Sequence, residues 1–411
     1  MASDFFALQE PWKDGAIRTV NFFNGRLLTG ADMGREQAAR RAADAQTGRA
    51  LGDGVADGLE VRFLGNVAPG ARPAVSVTAG VAVNRLGAAL CLPEPVRLSL
   101  DRPPPPGGAE VECLFGDCQP LSDGAYVAGQ GLYLLTIAPA FTTEGRAQVS
   151  GMGDAAPRCA IDATVEAVQF RLLEVRPELF GSASAASARF RNAIAHEAFG
   201  VGSHPDWAAN LLAQDPRKDD LIERLRRHGL EDSEVPLALI AFTSAGHQFT
   251  DMWSVRRPVC LRDERSVAAS LSDPRRAALG RAMFRQFQDE IESLPALTSV
   301  TARGRFAFLP AAGILPGLND SQVQAFFAGM TVRGPMHIDA SAVEPLLRES
   351  LTAPAIDTAS DHALWLYRIA QTRMHPERAD LLIFASGHLP YRADARFNLN
   401  HWDYANYALI P

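Results

Sequence analysis

The spacing of apolar side chains changes twice along this chain. Over residues 30–51 the apolar positions are mostly alanine with Met33, spaced as on a helix, and arginines stand at 35, 40, 41 and 49. Thr29 or Asp32 is placed to cap such a helix, and Gly52 with Gly54 stops it. Alanine buries little area, so this helix is expected to pack closely on a neighbour or to meet another subunit. From Gly58 the period drops to two: Leu59, Val61 and Phe63 alternate with polar residues, then Val75, Val77, Ala79, Val81 and Val83. Asn84-Arg85-Leu86-Gly87 reads as the turn of a hairpin. The runs GLYLLTIAPA and APRCAIDATVEAVQFRLLEV, with AEVECLF, predict further strands, and the four prolines after Asp101 cannot join a ladder and predict a surface loop.

Beyond about residue 180 the two periods are interleaved. GSASAASARF reads as a small-residue connector, and ARFRNAIAHEAFG is weakly helical. Asp215 and Pro216 open a helix that Gly229 ends, and Asp273 with Pro274 opens a longer one to about Leu294. Ala278, Met283, Phe284, Phe287 and Ile291 of that helix share a face. VPLALIAFTSAG is a buried-type strand with QFTDMWSVRRPVCL as its partner. TSVTARGRFAFLPAAGILPGL reads as extended, Ser321 as the cap of a short helix to Phe327, and GPMHIDASAVEPLLRESL as strand then helix. HALWLYRI and DLLIFASG read as strands. The expected fold class is α+β: an N-terminal docking segment and helix (1–57), an antiparallel β sandwich or barrel (58–178), a helical connector (179–229) and a mixed α/β domain (230–411).

Composition narrows the classes. At 411 residues, 47% hydrophobic and 21% charged, the chain can build ordinary cores. A net charge of -7 argues against nucleic acid as a partner. Lys13 and Lys218 are the only lysines, so the basic charge is nearly all arginine, which suits bidentate pairing at interfaces. No basic leader with an apolar run opens the sequence, and no stretch of about 18 apolar residues occurs; synthesis in the cytoplasm without membrane insertion is the expectation. Five cysteines, at 91, 113, 118, 159 and 260, read as reduced thiols.

Chemistry-bearing patterns are weak. Cys113 and Cys118 are too widely spaced for a zinc knuckle and have no second pair. His196, Glu197 and His204 miss the zincin spacing, since the second histidine falls eight residues on instead of four. Ser386 near His388 lacks a nucleophile elbow. Asp320 and Asp339 suit helix caps better than acid–base work, and no phosphate-binding glycine loop is present. The expectation is therefore a non-enzyme with no cofactor and no metal. The features left over are apolar and aromatic clusters suited to contact: Phe22, Phe23, Leu27 and Leu28 around Asn24-Gly25, and Trp402, Tyr404 and Tyr407 near the C-terminus.

In order, VNFFNGRLLTGADMGREQ, GDGVADGLEV and VTAGVAVNRLGAALCLPEPVRLSL resemble the N-terminal region of proteins encoded in bacterial gene clusters for phage-tail-like contractile injection particles. The matching positions are Phe23, Gly25, Leu28, Thr29 and Asp32; Gly58, Leu59 and Val61; and Gly80, Ala82 and Gly87. RFAFLPAAGILPG, FFAGMTVRGPMHIDASAVEPLLRESL and LWLYRI resemble the later part of the same proteins. The resemblance implies a structural or accessory component, baseplate-associated, with other tail or baseplate subunits as partners, self-association left open, and release with an extracellular particle as a further expectation. It carries over no catalytic residue. The alternative from the residues themselves is a glycan- or surface-binding module using the C-terminal aromatics, with a hydrolase built on Ser386 and His388 as the weakest reading.

Overall fold

The computed structural model describes residues 11, 13–65, 73–100, 130–149, 158–180, 183–200, 221–259, 274–294, 296–369 and 380–387. The fold is α+β. Helix α1 spans Gly30–Leu51, and Thr29 caps it through a reciprocal box: its hydroxyl accepts from Asp32 N, and the Asp32 carboxylate accepts from Thr29 N at 3.1 Å. Two small antiparallel sheets follow. One has the order β1 (Gly54–Gly58), β4 (Gly80–Val83), β5 (Ala89–Leu92). The other has the order β2 (Val61–Phe63), β3 (Ala74–Val77), β6 (Val96–Ser99). The β4–β5 turn is the expected Asn84–Gly87, with Gly87 at φ +85°.

The central sheet is built on a long hairpin, β7 (Gly131–Val149) and β8 (Arg158–Val175). On the other side of β7 lie β9 (Val235–Thr243) and then β10 (Gly246–Asp251), all antiparallel, in the order β10-β9-β7-β8. Tyr133, Leu135 and Ile137 point to one face and pack with Val61, Val75, Val77, Leu90 and Leu92 of the small sheets. Leu132 and Leu134 point to the other and pack under helices α2 (Phe190–Phe199) and α3 (Leu221–Arg226). Each such side chain contributes about 1.5–3 kcal/mol by leaving water. Among the described residues none of the sheets closes on itself, so of the two expected β architectures the open, layered one is realised and the barrel is not. The reason lies in β7: buried on both faces, its apolar run needs cover above and below, which stacked layers supply.

The second half pairs α4 (Pro274–Glu292) with a mixed sheet of order β12 (Ala312–Leu315), β16 (Leu381–Ser386), β15 (Leu364–Ile369), β13 (Val332–His337). The β13–β15 pairing is parallel. Leu364, Leu366, Leu382 and Phe384 face α4, the short helix α5 (Ala302–Arg305) and α6 (Asp320–Phe326). Trp365, Tyr367, Ile383 and Ala385 face α7 (Val343–Ser350). A two-stranded ladder, β11 (Phe308–Leu309) with β14 (Ile356–Asp357), completes this half. Two local expectations are corrected. The stretch from 300 to 318 is not simply extended, because the Thr301 hydroxyl accepts from Gly304 N and starts the single turn of α5. Asn319, not Ser321, caps α6: its carboxamide reaches Gln322 N at 2.9 Å, while Ser321 sits inside the helix and donates to Asn319 Oδ1.

Candidate docking surface

The arm before α1 is folded back on the helix it precedes. Val20 N donates to Glu36 Oε2 at 3.1 Å, and Val20 itself is buried. Arg26 donates to Asn21 O at 2.9 Å and to Asp32 Oδ1 at 2.7 Å, and its guanidinium lies 5.9 Å from the Phe23 ring centre. Gly25, at φ +89°, supplies the turn between them, and Arg26 N closes it on Phe23 O. Asp32 thus collects the Thr29 hydroxyl, the Thr29 amide and the Arg26 guanidinium, which hold its carboxyl at about 2, below the usual aspartate value. Val20 N and the Arg26 guanidinium of this clip bond inward to α1. Its apolar groups point out: Phe23 is 61% and Leu27 85% exposed, with Phe22, Leu28 and Met33 of α1 also exposed.

Helix α1 touches the rest of the protein through a close backbone contact. A Cβ on Gly48 would stand 2.0 Å from Gly87 O, and one on Gly87 would stand 1.9 Å from Ala45 O, so both positions require glycine. Further along, Arg41 Nε meets Glu166 of β8 at 2.8 Å, and the guanidinium lies 5.8 Å from the Phe141 ring of β7. Both partners of that ion pair are more than half exposed, so it adds little stability. The large exposed apolar side chains among the described residues are those of the arm and α1, Leu86 in the β4–β5 turn, and Phe141 and Ile161 of the hairpin. None lies between 183 and 387. Scattered apolar groups on a surface need no explanation; in the arm Phe22 and Phe23 are exposed on one side of the Asn24–Arg26 turn and Leu27 and Leu28 on the other.

The remaining predicted residues separate clearly. Trp402, Tyr404 and Tyr407 lie outside the described residues, as do His204, His388, Cys113, Cys118 and Cys260. Ser386 ends β16 and is buried, its amide bonded to Ala311 O. Cys91 and Cys159 are free and exposed. Asp339 accepts from Ser341 N at 2.8 Å, the capping role its sequence suggested. No cluster of three or more histidine, cysteine or acidic side chains suited to a metal ion occurs among the described residues. No helix among them is long and apolar enough to cross a membrane.

Three buried polar clusters escaped the sequence patterns. Glu234, at the start of β9, accepts from Arg171 Nε and from the Thr136 hydroxyl, each at 2.7 Å, and from Glu231 N at 2.8 Å. Arg85 in the β4–β5 turn pairs with Glu223 of α3, and Asn84 donates to Ser233 O, tying the small sheet to the connector. Between the two halves, Arg191 of α2 meets Asp251 of β10 at 3.0 Å and Asp289 of α4. Gln286 bridges Asp251 to Glu290, and Glu290 pairs with Arg305 at 2.9 Å. Burial raises the Glu290 pKa against the pull of Arg191 and Arg305. Beside this cluster His196 stacks on Phe308, ring centres 4.0 Å apart, and burial alone lowers its pKa to about 3, so it is neutral. These are braces: each charge is answered by an opposite one inside the fold. A groove of about 430 Å³ does exist, but it lies elsewhere, between α6 and β13, lined by Val323, Phe327, Met330, Val332, Pro335 and Leu366 among others.

No family model matches the chain, and none of the curated proteins matches it. Solved structures do. One is a chain of the type VI secretion system TssK-TssF-TssG baseplate subcomplex seen by cryo-electron microscopy, 11% identical, covering 84% of this chain and 83% of that one at a TM-score of 0.27. Another belongs to the baseplate complex from the type VI secretion system, 11% identical, 84% of each chain covered, TM-score 0.28. A likeness this loose says nothing of what the present chain touches.

Proposed function

We propose that this chain is a non-enzymatic structural or assembly component of a phage-tail-like contractile injection particle, associated with the baseplate, and that Phe22, Phe23, Leu27 and Leu28 hold a neighbouring particle protein. The exposure of these four side chains, on a loop whose Val20 amide and Arg26 guanidinium are bonded back to α1, carries this reading. Leaving such groups in water costs the apolar transfer energy that a partner would recover. The ordered resemblance of the sequence segments to injection-particle proteins supplies the class of partner. On this reading the chain is made in the cytoplasm and stays with the particle.

The test is co-expression with tube, sheath and baseplate proteins of a contractile injection particle from the same genome. The unaltered chain should co-purify with at least one of them. The combined variant Phe22→Ser, Phe23→Ser, Leu27→Ser, Leu28→Ser should lose that partner while keeping its unfolding midpoint. Retention of the variant at full stoichiometry would sink the anchor.

A further inference from the structure

Past the end of β10 the chain makes a turn that gathers charge of one sign. Asp251 Oδ1 accepts from Ser254 N at 3.0 Å and Arg256 N donates to Met252 O at 2.9 Å, which sets Trp253 and Arg256 three residues apart on one turn. The turn is fixed in place: Arg257 O accepts from Val55 N of β1 at 2.8 Å, and Arg256 donates through Nη2 to Gly58 O. The Arg256 guanidinium lies 5.7 Å from the Trp253 ring centre, and that of Arg285, arriving from α4, lies 4.8 Å from it. Two cations therefore share one half-buried indole.

Neither is answered by a carboxylate. Among the described residues no acidic side chain stands within 4.0 Å of the charged nitrogens of Arg256, of Arg285, or of Arg281 one turn before it on α4. Asp289, one turn after Arg285, pairs with Arg191 instead, and Glu60 pairs with Arg62 at 3.5 Å. Stacking on an indole leaves the N–H groups of a guanidinium free to donate in its plane. Arg285 is exposed and makes no hydrogen bond among the described residues; the Arg256 Nε is buried without an acceptor. Burial lowers the Arg256 pKa, Glu60 raises it, and Arg285 lowers it again. A guanidinium does not shed its proton near neutral pH, so such a pair is relieved by an anion and not by deprotonation.

We infer that Arg256 and Arg285, with Arg281 beside them, bind an acidic segment of a partner protein, one carboxylate bridging the two guanidinium groups while an apolar neighbour lies on the open surface of Trp253. Arg281 and Arg285 are exposed and Trp253 is only half-buried, so a small anion alone would be held weakly there, whereas a segment adds contact with the indole. Arginine beside tryptophan is the combination enriched where proteins meet. In a chain of net charge -7, three unanswered cations set this patch apart: an acidic segment is drawn here and repelled by the chain as a whole.

The patch uses no residue of the arm, so its failure and that of the anchor can be told apart. The probe is a fluorescent peptide of alternating glutamate and leucine, added to the full chain and followed by anisotropy. It should bind, and bind more weakly as salt is raised. Arg285→Glu should lower the affinity by roughly tenfold or more, since a carboxylate then faces a carboxylate. Arg285→Lys, which keeps the charge and loses the planar fork, should fall between. Arg97→Glu, at an exposed arginine of β6, changes the net charge equally and should leave binding as it was. The four-serine arm variant should bind the peptide like the unaltered chain, and the unfolding midpoint of each variant controls for folding. Absence of binding, binding indifferent to Arg285→Glu, an equal loss in Arg97→Glu, or displacement by inorganic phosphate at constant ionic strength would overturn the inference. So would tighter binding by Asp263→Asn with Glu264→Gln, which would make the chain's own acids the occupant.

Discussion

The two halves of the β7–β8 hairpin are one continuous ladder with opposite surroundings. At its root every residue from Leu132 to Ala138 is buried, apolar side chains are covered on both faces, and the single charged pair is fully answered by Arg171, Thr136 and Glu234. At its outer half Phe141 and Ile161 stand in water, and the nearest ion pair, Arg41 with Glu166, is itself exposed. The same backbone hydrogen bonds run through both. What differs is whether a third and fourth strand and two layers of cover are present. Pairing alone does not make a strand part of a core; its faces must be covered as well.

Altering the root should have the largest effect. Glu234→Ala leaves Arg171 buried without its carboxylate, and breaking such a pair costs about 3–5 kcal/mol; urea unfolding followed by circular dichroism measures it. Leu134→Ala, which opens space beneath α2, should cost about 2–5 kcal/mol by the same measurement. Acid separates the interior from the arm. The folded His196 pKa lies near 3, below its unfolded value near 6.5, so its contribution is complete above about pH 6.5 and falls by up to about 1.4 kcal/mol per pH unit below that. Asp32, held near 2 against an ordinary 3.8, keeps its contribution until the pH falls below about 4. Between pH 6 and 4 the seam around α2 should therefore weaken while the arm clip holds. Hydrogen exchange at the two places reads this, and His196→Phe should flatten the first dependence and leave the second. The smallest effect belongs to the outer half: Phe141→Ser with Ile161→Ser should change the stability of the isolated chain by no more than about 0.5 kcal/mol, and a larger loss would mean this half is already covered.

Much of this was legible locally. Thr29 as a cap, the Asn84–Gly87 turn, β8 as one long strand and α4 from Pro274 follow from hydroxyl placement, glycine and period, all read within a few residues. The uncovered half of β8 was not legible, because alternation tells which face of a strand is dry without telling what dries it. Gln286 and Glu290 were missed because a helix pattern marks apolar positions; polar side chains become interior only when Arg191 and Arg305 arrive from elsewhere in the chain. Asn319 was passed over for Ser321 since both residue types cap helices, and only backbone geometry decides between neighbours. Of the expected contact residues, the four in the arm are exposed as a docking loop needs, while Trp402, Tyr404 and Tyr407 fall beyond the described residues.

The meeting of Gly48 and Gly87 has a mechanical meaning. With no side chain between them, there is no rotamer to give way, so the direction of α1 is set by the β4–β5 turn itself. A helix of 22 residues is a boom of roughly 33 Å. Gly48 lies 18 residues from the start of α1, a lever of roughly 27 Å, so a tilt of about 10° at that pivot swings the far end, and the phenylalanines mounted there, through about 5 Å.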